Sequence, residues 1–528
     1  MLSSRASVAG ASMKWGKLSV LIVGLTALGA FREAHADGLE LHDIQLTLPE
    51  TAGAPTAQSR WDDILNKPAN AGVTFGLNLH GPSPYARNGG AAFLPASNSK
   101  LFTAGAALDK LGPDATFTTT LEWREIIGHA GAITGLVVRG SGDPTWGSTT
   151  YGETLTSRVD AFADALWKRG VRAVHGPIEV KGDDPRWNDL HYSKGWAEWA
   201  RNECGTAQAQ AVNVALNCAS YVVTSASDGY WKQPGVPVPV RLKIAPGKRT
   251  ELNVDAEGGD AGRPGTGFVV TGTFLAGGKA HALALPIADS AGWARNLLKQ
   301  ALRRKGIHLY VTPLATAAPV RSFTHESVKL SEIFKPFLKH SINVVGEILF
   351  HALGKRFGPA QDSLVAAGET VLREYVAGVG SRAATAAGLT PQPGFYSKDA
   401  ELFDGSGISK ASHVTTEAMM ALLLDLRAHP KFDAIWQALP IAGVDGTLET
   451  RMRGTAAEGV LRAKTGTLDG VYNLSGYVPR VDGAAKPDDF VPFVMLTRTT
   501  SENEARARAV ENQLGAELAR LVRAGAIF

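Results

Sequence analysis

The sequence predicts a multi-domain α/β protein in which an antiparallel sheet flanked by helices is interrupted by inserted β-rich domains. Three observations support this. The chain has 528 residues, too many for one hydrophobic core. Helical periodicity recurs on both sides of the segment 116–283, and short threonine-, valine- and glycine-rich runs fill that segment. We therefore expect residues 37–115 and 284–528 to form two parts of one domain around the insert.

The first 36 residues have the composition of a secretory signal. Basic residues precede an apolar run over 18–31, and Ala34-His35-Ala36 follows it. This order predicts a signal peptide cleaved before Asp37, since the apolar run is short for a membrane anchor. No later apolar stretch reaches 18 residues, so no transmembrane span is expected in the mature chain.

Charge and cysteine content narrow the function classes. Removing the four basic residues and one acidic residue of 1–36 lowers the formal net charge from +4 to +1, which gives no support for a nucleic-acid partner. The only cysteines, Cys204 and Cys218, can pair in an exported chain, which would stabilise the fold by ~3 kcal/mol. Two separate buried thiols are the alternative. Neither C-x-x-C nor H-E-x-x-H is present, so we expect no metal and no cofactor.

The elements around the insert can be placed in order. "GVTFGLNLH" has strand composition, and a helix should run from Asn98 to Leu111, where Gly112-Pro113 stops it. Near the C-terminus, two alternating runs joined by Asp469-Gly470 predict a hairpin, with "FVPFVMLTRT" as a third strand. The last segment, 501–524, is expected to be an amphipathic helix capped by Ser501 and Glu504.

Ser97 and Lys100 form an S-x-x-K pair at the start of the first of these helices. Residues i and i+3 share a helix face, so the amine can lie beside the hydroxyl, and a desolvated lysine can take its proton. Alone the pair is weak evidence for a catalytic site, because about one such pair is expected by chance in a chain of this composition. It could equally mark only a helix start.

Two further motifs follow in the chain. Ser341-Ile342-Asn343 lies at a predicted helix end, and its alternative interpretation is a solvated polar kink. Lys464-Thr465-Gly466-Thr467 lies on a predicted strand, where a lysine, two hydroxyls and a backbone N–H can bind an anionic group and the glycine leaves space. A charged edge strand that prevents aggregation is the alternative. The order S-x-x-K, S-x-N, K-T-G is that of penicillin-binding proteins and β-lactamases.

Several stretches extend this similarity over nearly the whole mature chain. They are "PASNSKLFTAGAALDKLGPDATFTT", "GSGDPTW", "FDGSGIS", "IAGVDGTLETRMRGT" and "RAKTGTLDGVYNLSGYV". Together they resemble the D-alanyl-D-alanine carboxypeptidase/endopeptidase family, the class C low-molecular-mass penicillin-binding proteins of peptidase family S13. The resemblance implies a β-lactamase/transpeptidase-like domain with inserted β-rich domains, and a periplasmic location.

The resemblance also implies roles for the motif residues. Ser97 would be the acylated nucleophile and Lys100 its base, while Ser341 would relay a proton to the leaving group and Asn343 would hold the substrate amide. The family usually has S-D-N, and Ile342 replaces its aspartate here. We expect that side chain to point away from the reacting atoms.

On the K-T-G strand, Lys464 would supply positive potential, and Thr465 and Thr467 would face the substrate carboxylate beside Gly466. The backbone N–H groups of Ser97 and Thr467 would form the oxyanion hole.

The implied function is hydrolysis of peptidoglycan stem peptides and cross-links through an acyl-serine, with β-lactams as covalent inhibitors. One alternative is a β-lactamase-like hydrolase, because "RTELN" resembles a deacylation loop, although Arg249 stands where its glutamate is needed. Another is a catalytically inactive cell-wall scaffold. Asp143 and the Asp404-Gly405-Ser406-Gly407 loop are interpreted as turn residues outside the site. The oligomeric state is not indicated.

Overall fold

The computed structural model describes residues 57–81, 84–196, 202–226, 229–258, 264–386 and 398–525; the predicted signal peptide lies outside them. The helices are α1 (Ala57–Leu65), α2 (Ser99–Leu111), α3 (Ser157–Lys168), α4 (Ser290–Arg304), α5 (Leu330–Lys339), α6 (Asn343–Phe357), α7 (Leu364–Ala386), α8 (Thr416–Ala428), α9 (Asp433–Trp436) and α10 (Glu504–Arg523). The strands are β1 (Thr74–Leu79), β2 (Tyr85–Arg87), β3 (Thr118–Glu125), β4 (Ala132–Gly140), β5 (Ala173–His175), β6 (Glu179–Gly182), β7 (Cys218–Val223), β8 (Tyr230–Lys232), β9 (Val240–Gly247), β10 (Glu251–Glu257), β11 (Gly267–Leu275), β12 (His281–Pro286), β13 (His308–Tyr310), β14 (Val320–Glu326), β15 (Ala400–Glu401), β16 (His413–Val414), β17 (Arg462–Leu468), β18 (Val471–Pro479) and β19 (Phe490–Arg498).

Five strands form an antiparallel sheet in the order β17-β18-β19-β1-β2. Successive side chains of β19 point to opposite faces of the sheet. Val494 and Leu496 pack in the hydrophobic core with α2 and α5–α9. Phe493 and Met495 pack on the other face, in the core with α1 and α10. The predicted antiparallel sheet flanked by helices is confirmed.

Helix α2 passes through the interior of this domain. It begins at Ser99, directly after a 3-10 turn over Ala96–Asn98, and ends before Gly112, whose φ of +80° suits glycine. Every side chain from Ser99 to Leu108 is buried. A charged residue in the first turn of this helix is therefore shielded from water.

The C-terminal hairpin agrees with the sequence, but the helix cap does not. Strands β17 and β18 are joined by Asp469-Gly470, and β17 lies at the edge of the sheet. The predicted cap of the last helix is wrong, because the Ser501 hydroxyl donates to Asp469 and α10 begins only at Glu504.

The inserted region contains three sheets. Strands β13-β5-β4-β3-β14, with β6 also paired to β4, share a core with α3 and α4, and two three-stranded sheets have the orders β10-β11-β9 and β12-β7-β8. Strand β14 pairs with β3 up to Glu326, well beyond residue 283. The division of the chain into domains stays a prediction, and this pairing leads us to propose that the insert ends after Glu326.

Candidate active site

Ser97 and Lys100 lie together where the 3-10 turn meets α2. The Nζ atom of Lys100 is 3.0 Å from Oγ of Ser97, as the i, i+3 spacing predicts. Ala96 has a φ of +46°, an uncommon value for a residue other than glycine. The nucleophile candidate is thus held on a strained turn at the head of a buried helix.

The Lys100 amine has three oxygen partners and no contact with solvent. Besides Ser97, it donates to Oδ1 of Asn343 at 2.7 Å and to the carbonyl oxygen of Ser406 at 2.5 Å. Burial lowers the pKa of Lys100 to about 7, against the opposing effect of two buried carboxyl groups described below. A neutral amine that can accept a proton is therefore available near neutral pH.

Ser341 and Lys464 form a second pair. Ser341 lies between α5 and α6 with a φ of +57°, and its Oγ accepts a hydrogen bond from Nζ of Lys464 at 2.9 Å. The same amine donates to the carbonyl oxygen of Thr465 at 2.8 Å. Burial, together with the positive charge of Lys100, lowers the pKa of Lys464 well below its ordinary value. The left-handed turn at Ser341 thus brings a hydroxyl within reach of the strand.

The K-T-G strand passes close to the Ser97 turn. A Cβ atom on Gly466 would lie 2.9 Å from the carbonyl oxygen of Pro95, so only glycine fits without displacement. The hydroxyls of Thr465 and Thr447 are 2.8 Å apart, and Thr467 is exposed. The glycine of the motif therefore allows the approach that the sequence suggested.

Two asparagines that the sequence analysis missed join β18 to the same turn. Nδ2 of Asn473 donates to the carbonyl oxygens of Leu94 and Pro95, each at 2.9 Å, and Nδ2 of Asn98 donates to Ser475 Oγ at 3.0 Å. Buried side-chain hydrogen bonds of this kind fix the turn relative to the sheet. Only their tertiary contacts reveal them.

The Asp404-Gly405-Ser406-Gly407 loop is a glycine turn, as predicted, and it also contacts Lys100. Its Ser406 carbonyl oxygen accepts the hydrogen bond from Lys100. Gly407 has a φ of +82°, and a Cβ atom there would clash with the carbonyl oxygen of Ala96. The loop therefore forms one wall of the Lys100 pocket.

Two buried carboxyl groups lie near Lys100: Asp404, which the sequence analysis placed outside the site, and Glu347, which it did not name. Asp404 accepts hydrogen bonds from the N–H groups of Gly407 at 2.9 Å and Ser409 at 2.8 Å, and from Nε1 of Trp196 at 2.8 Å. Glu347 lies one turn after Asn343 on α6. Burial raises the pKa of both carboxyl groups. A lone acidic residue in an apolar helix, four positions after the motif asparagine, was the available signal for Glu347.

The insert reaches the site through the short turn at Gly205 as well as through Trp196. Nδ2 of Asn343 donates to the carbonyl oxygen of Gly205 at 2.8 Å, so part of its amide binds the protein itself. Gly205 follows Cys204, which is disulfide-bonded to Cys218 as the sequence allowed. Ile342 packs against the helical core, in line with the orientation expected for it.

Asp143 and Arg249, which the sequence also brought into consideration, make structural contacts in the insert. Oδ1 of Asp143 accepts from the backbone N–H of Thr145 at 2.8 Å, and its Oδ2 accepts from Arg158 at 2.5 Å, as suits a buried turn residue. Arg249 lies between β9 and β10 of the insert and pairs with Glu251. Across the described ranges, no cluster of three or more metal-binding side chains occurs. The helices described there include none long and apolar enough to cross a membrane.

The chain is similar to known proteins in sequence and fold. The family profile described as "D-Ala-D-Ala carboxypeptidase 3 (S13) family" matches residues 58–520. A D-alanyl-D-alanine carboxypeptidase of Actinomadura sp. (strain R39) is 33% identical over 471 residues, which cover 83% of this chain and 81% of that protein. D-alanyl-D-alanine carboxypeptidase DacB of Haemophilus influenzae is 25% identical over 493 residues, covering 89% and 92%. The crystal structure of penicillin binding protein 4 from H. influenzae matches with a TM-score of 0.68 at 21% identity, covering 88% of this chain and 99% of that one, which shows the shared fold.

Proposed function

The chain belongs to the D-Ala-D-Ala carboxypeptidase 3 (S13) family, and we propose that it is a serine-type D-alanyl-D-alanine carboxypeptidase with Ser97 as the acylated nucleophile. One observation carries this assignment. A fully buried lysine amine stands 3.0 Å from the Ser97 oxygen and 2.7 Å from Asn343. Peptidoglycan stem peptides that end in D-alanine are the proposed substrates.

Acylation begins on the helical side of the site, which is formed by Ser97, Lys100 and Asn343. The Ser97 oxygen attacks the carbonyl carbon of the penultimate D-alanine, while its proton passes to the neutral Lys100 amine. The C–N bond to the terminal D-alanine then breaks. Water hydrolyses the resulting ester and restores the serine. Oδ1 of Asn343 accepts a hydrogen bond from Lys100, so Asn343 orients the base, and its amide also faces the substrate.

The strand side of the site, formed by Ser341 and the K-T-G segment of β17, binds the leaving group, the terminal D-alanine. Ser341, hydrogen-bonded to Lys464, relays to the departing nitrogen the proton that Lys100 took from Ser97. The Lys464 charge and the hydroxyls of Thr465 and Thr467 hold the carboxylate of the terminal D-alanine beside Gly466. The backbone N–H groups of Ser97 and Thr467 stabilise the oxyanion, a contribution of ~3 kcal/mol for each donor.

Labelling with fluorescent penicillin tests the proposal. The wild-type protein should form a covalent adduct on Ser97, located by peptide mass spectrometry, and Ser97→Ala should form none. Ser99→Ala is the matched control, because Ser99 is buried on the same turn and its Oγ has no hydrogen-bond partner within the described ranges. It should be labelled like the wild type.

Three outcomes would change the assignment. An unlabelled wild-type protein would contradict the acyl-serine mechanism and favour the scaffold alternative. An adduct on Ser99 would misplace the nucleophile. Fast release of hydrolysed penicillin would favour a β-lactamase-like hydrolase, although Arg249 lies between β9 and β10 of the insert.

Cleavage of D-alanyl cross-links is a second proposed activity of the same site. The acyl donor is identical, and only the leaving amine changes from free D-alanine to a neighbouring stem peptide. The edge position of β17 and the exposure of Thr467 support it, because an edge strand can accommodate an extended chain beyond the leaving nitrogen. Purified cross-linked muropeptides should be split by the wild type and not by Ser97→Ala.

We also place the protein in the periplasm. The signal-like pattern of 1–36 and the disulfide between Cys204 and Cys218 support export to an oxidising compartment. Amino-terminal sequencing of protein from a periplasmic extract should begin at Asp37. Uncleaved protein retained in the cytoplasm would contradict this location.

A further inference from the structure

Glu347 is a buried titratable group with no task in the mechanism above. Its side chain is 3% exposed and lies on α6, four residues after Asn343 and therefore on the same helix face. Its Oε1 atom has no hydrogen-bond partner among the described residues. Buried polar atoms nearly always have a hydrogen-bond partner, so the unpartnered Oε1 atom calls for an explanation.

Glu347 and Lys100 contact the same loop residue. Lys100 donates to the carbonyl oxygen of Ser406, and Ser406 in turn hydrogen-bonds the Glu347 carboxyl group. Helix α6 lies against this loop, because a Cβ atom on Gly346 would be 2.7 Å from the carbonyl oxygen of Gly405. The carboxyl group is thus held close to the amine without a direct salt bridge.

Four titratable groups meet at this place from four elements. Lys100 comes from α2, Glu347 from α6, Asp404 from its loop, and Lys464 from β17. Asp404 receives three hydrogen bonds from N–H groups, which favour its ionised form. Ser406 hydrogen-bonds Glu347 through its side chain and its backbone, while the Oε1 atom of Glu347 has no partner among the described residues. Its ionised form is therefore stabilised by fewer hydrogen bonds than that of Asp404, so Glu347 is the carboxyl group of the pair that more readily keeps a proton.

Resting on the proposed function, we propose that Glu347 is a positioning residue whose carboxyl group sets the pH range over which the Lys100 amine accepts the Ser97 proton. The ionised carboxyl group stabilises the ammonium form of Lys100. When the carboxyl group is protonated, this stabilisation is lost and the neutral amine is favoured. The two groups therefore titrate over the same range, where burial raises the pKa of Glu347 and lowers that of Lys100. The rate of acylation should rise with pH more gradually than a single titration allows.

The test is the pH dependence of the second-order rate of acylation by fluorescent penicillin. In Glu347→Gln the carboxylate is absent, so the rising limb should steepen to one titration and its midpoint should fall by about one pH unit. Glu347→Asp keeps a carboxyl group and should retain a broad limb near the wild-type midpoint. A merely structural role would change the maximal rate and leave midpoint and shape unaltered.

A matched control separates this effect from the loss of any buried glutamate. Glu511 is also fully buried with an unpartnered Oε1, but it pairs with Arg451 at 2.9 Å. Glu511→Gln should leave the midpoint unchanged. If Glu347→Gln does not fold, Glu347→Met asks the same question, since it fills similar volume without a polar group.

The outcomes keep the two proposals apart. Absence of any adduct on wild-type Ser97 would overturn the proposed function. Normal wild-type labelling, with a charge-removing variant that has the wild-type midpoint and shape, would overturn the role of Glu347 alone.

Discussion

Lys100 on the helical side of the site and Lys464 on its strand side are both fully buried, but their neighbours differ. Lys100 has two buried carboxyl groups nearby, and these oppose the effect of burial on its pKa. Lys464 has no such support, and the charge of Lys100 adds to the effect of burial. The two equally buried amines therefore differ in their surroundings. Lys100 contacts the Ser97 hydroxyl, whereas Lys464 contacts the Ser341 hydroxyl.

The largest effect should follow loss of the first lysine. Lys100→Met removes the general base, so the rate of Ser97 acylation by fluorescent penicillin should fall by about 10³-fold or more. Lys110→Met is the matched control, because Lys110 lies in the last turn of the same helix beside Phe357 and should not affect the rate. A Lys100→Met rate within tenfold of the wild type would mean that another group takes the proton.

Loss of the second lysine should be smaller and should depend on the substrate. Lys464→Met removes positive potential, so kcat/KM for a peptide ending in D-alanyl-D-alanine should fall by about 10²-fold. The same peptide with an amidated C-terminus offers no carboxylate, so it should lose less. Lys335→Met, at an exposed position on α5, serves as the control. Equal losses for both peptides would assign Lys464 to proton transfer alone.

The sequence predicted those contacts of the site that join residues close together in the chain. Ser97 and Lys100 are neighbours because a helical turn places i and i+3 together, and the hairpin around Asp469-Gly470 follows from a two-residue turn. The pairing of these segments with Ser341 came from resemblance to a family. Spacing within one helix or hairpin is fixed by backbone geometry, whereas the meeting of distant segments is not.

What the sequence could not predict depends on long-range contacts. Glu347 and Asp404 are ordinary acidic residues until the chain path buries them beside Lys100, and Gly205 gains its role from a contact 138 positions away. Likewise the proposal that the insert extends to Glu326 depends on the pairing of β14 with β3. Burial and partner identity determine these roles, and composition contains neither.

The pH dependence of stability should also distinguish the lysines from surface residues. The pKa of Lys100 is about 7 in the folded protein against an ordinary 10.5, so the unfolded chain binds the proton more tightly between these values. The free energy of unfolding should therefore rise with pH through this window, by up to about 2 kcal/mol from pH 7 to 9. In Lys100→Met, chemical denaturation should show a smaller rise. Lys110→Met should keep the wild-type slope, and an equally steep Lys100→Met would contradict the lowered pKa.

The smallest effect concerns the insert, which contacts the helical side through Gly205. Replacing both cysteines, Cys204→Ser with Cys218→Ser, frees the turn that presents the Gly205 carbonyl oxygen to Asn343. Loss of one such hydrogen bond is worth about 1 kcal/mol, so the rate of acylation should fall about fivefold. Reducing agent should bring the wild type to the same rate and leave the double variant unchanged. A folded double variant with the wild-type rate would show that Lys100 and helix α6 are enough to position Asn343, without the contact from the insert.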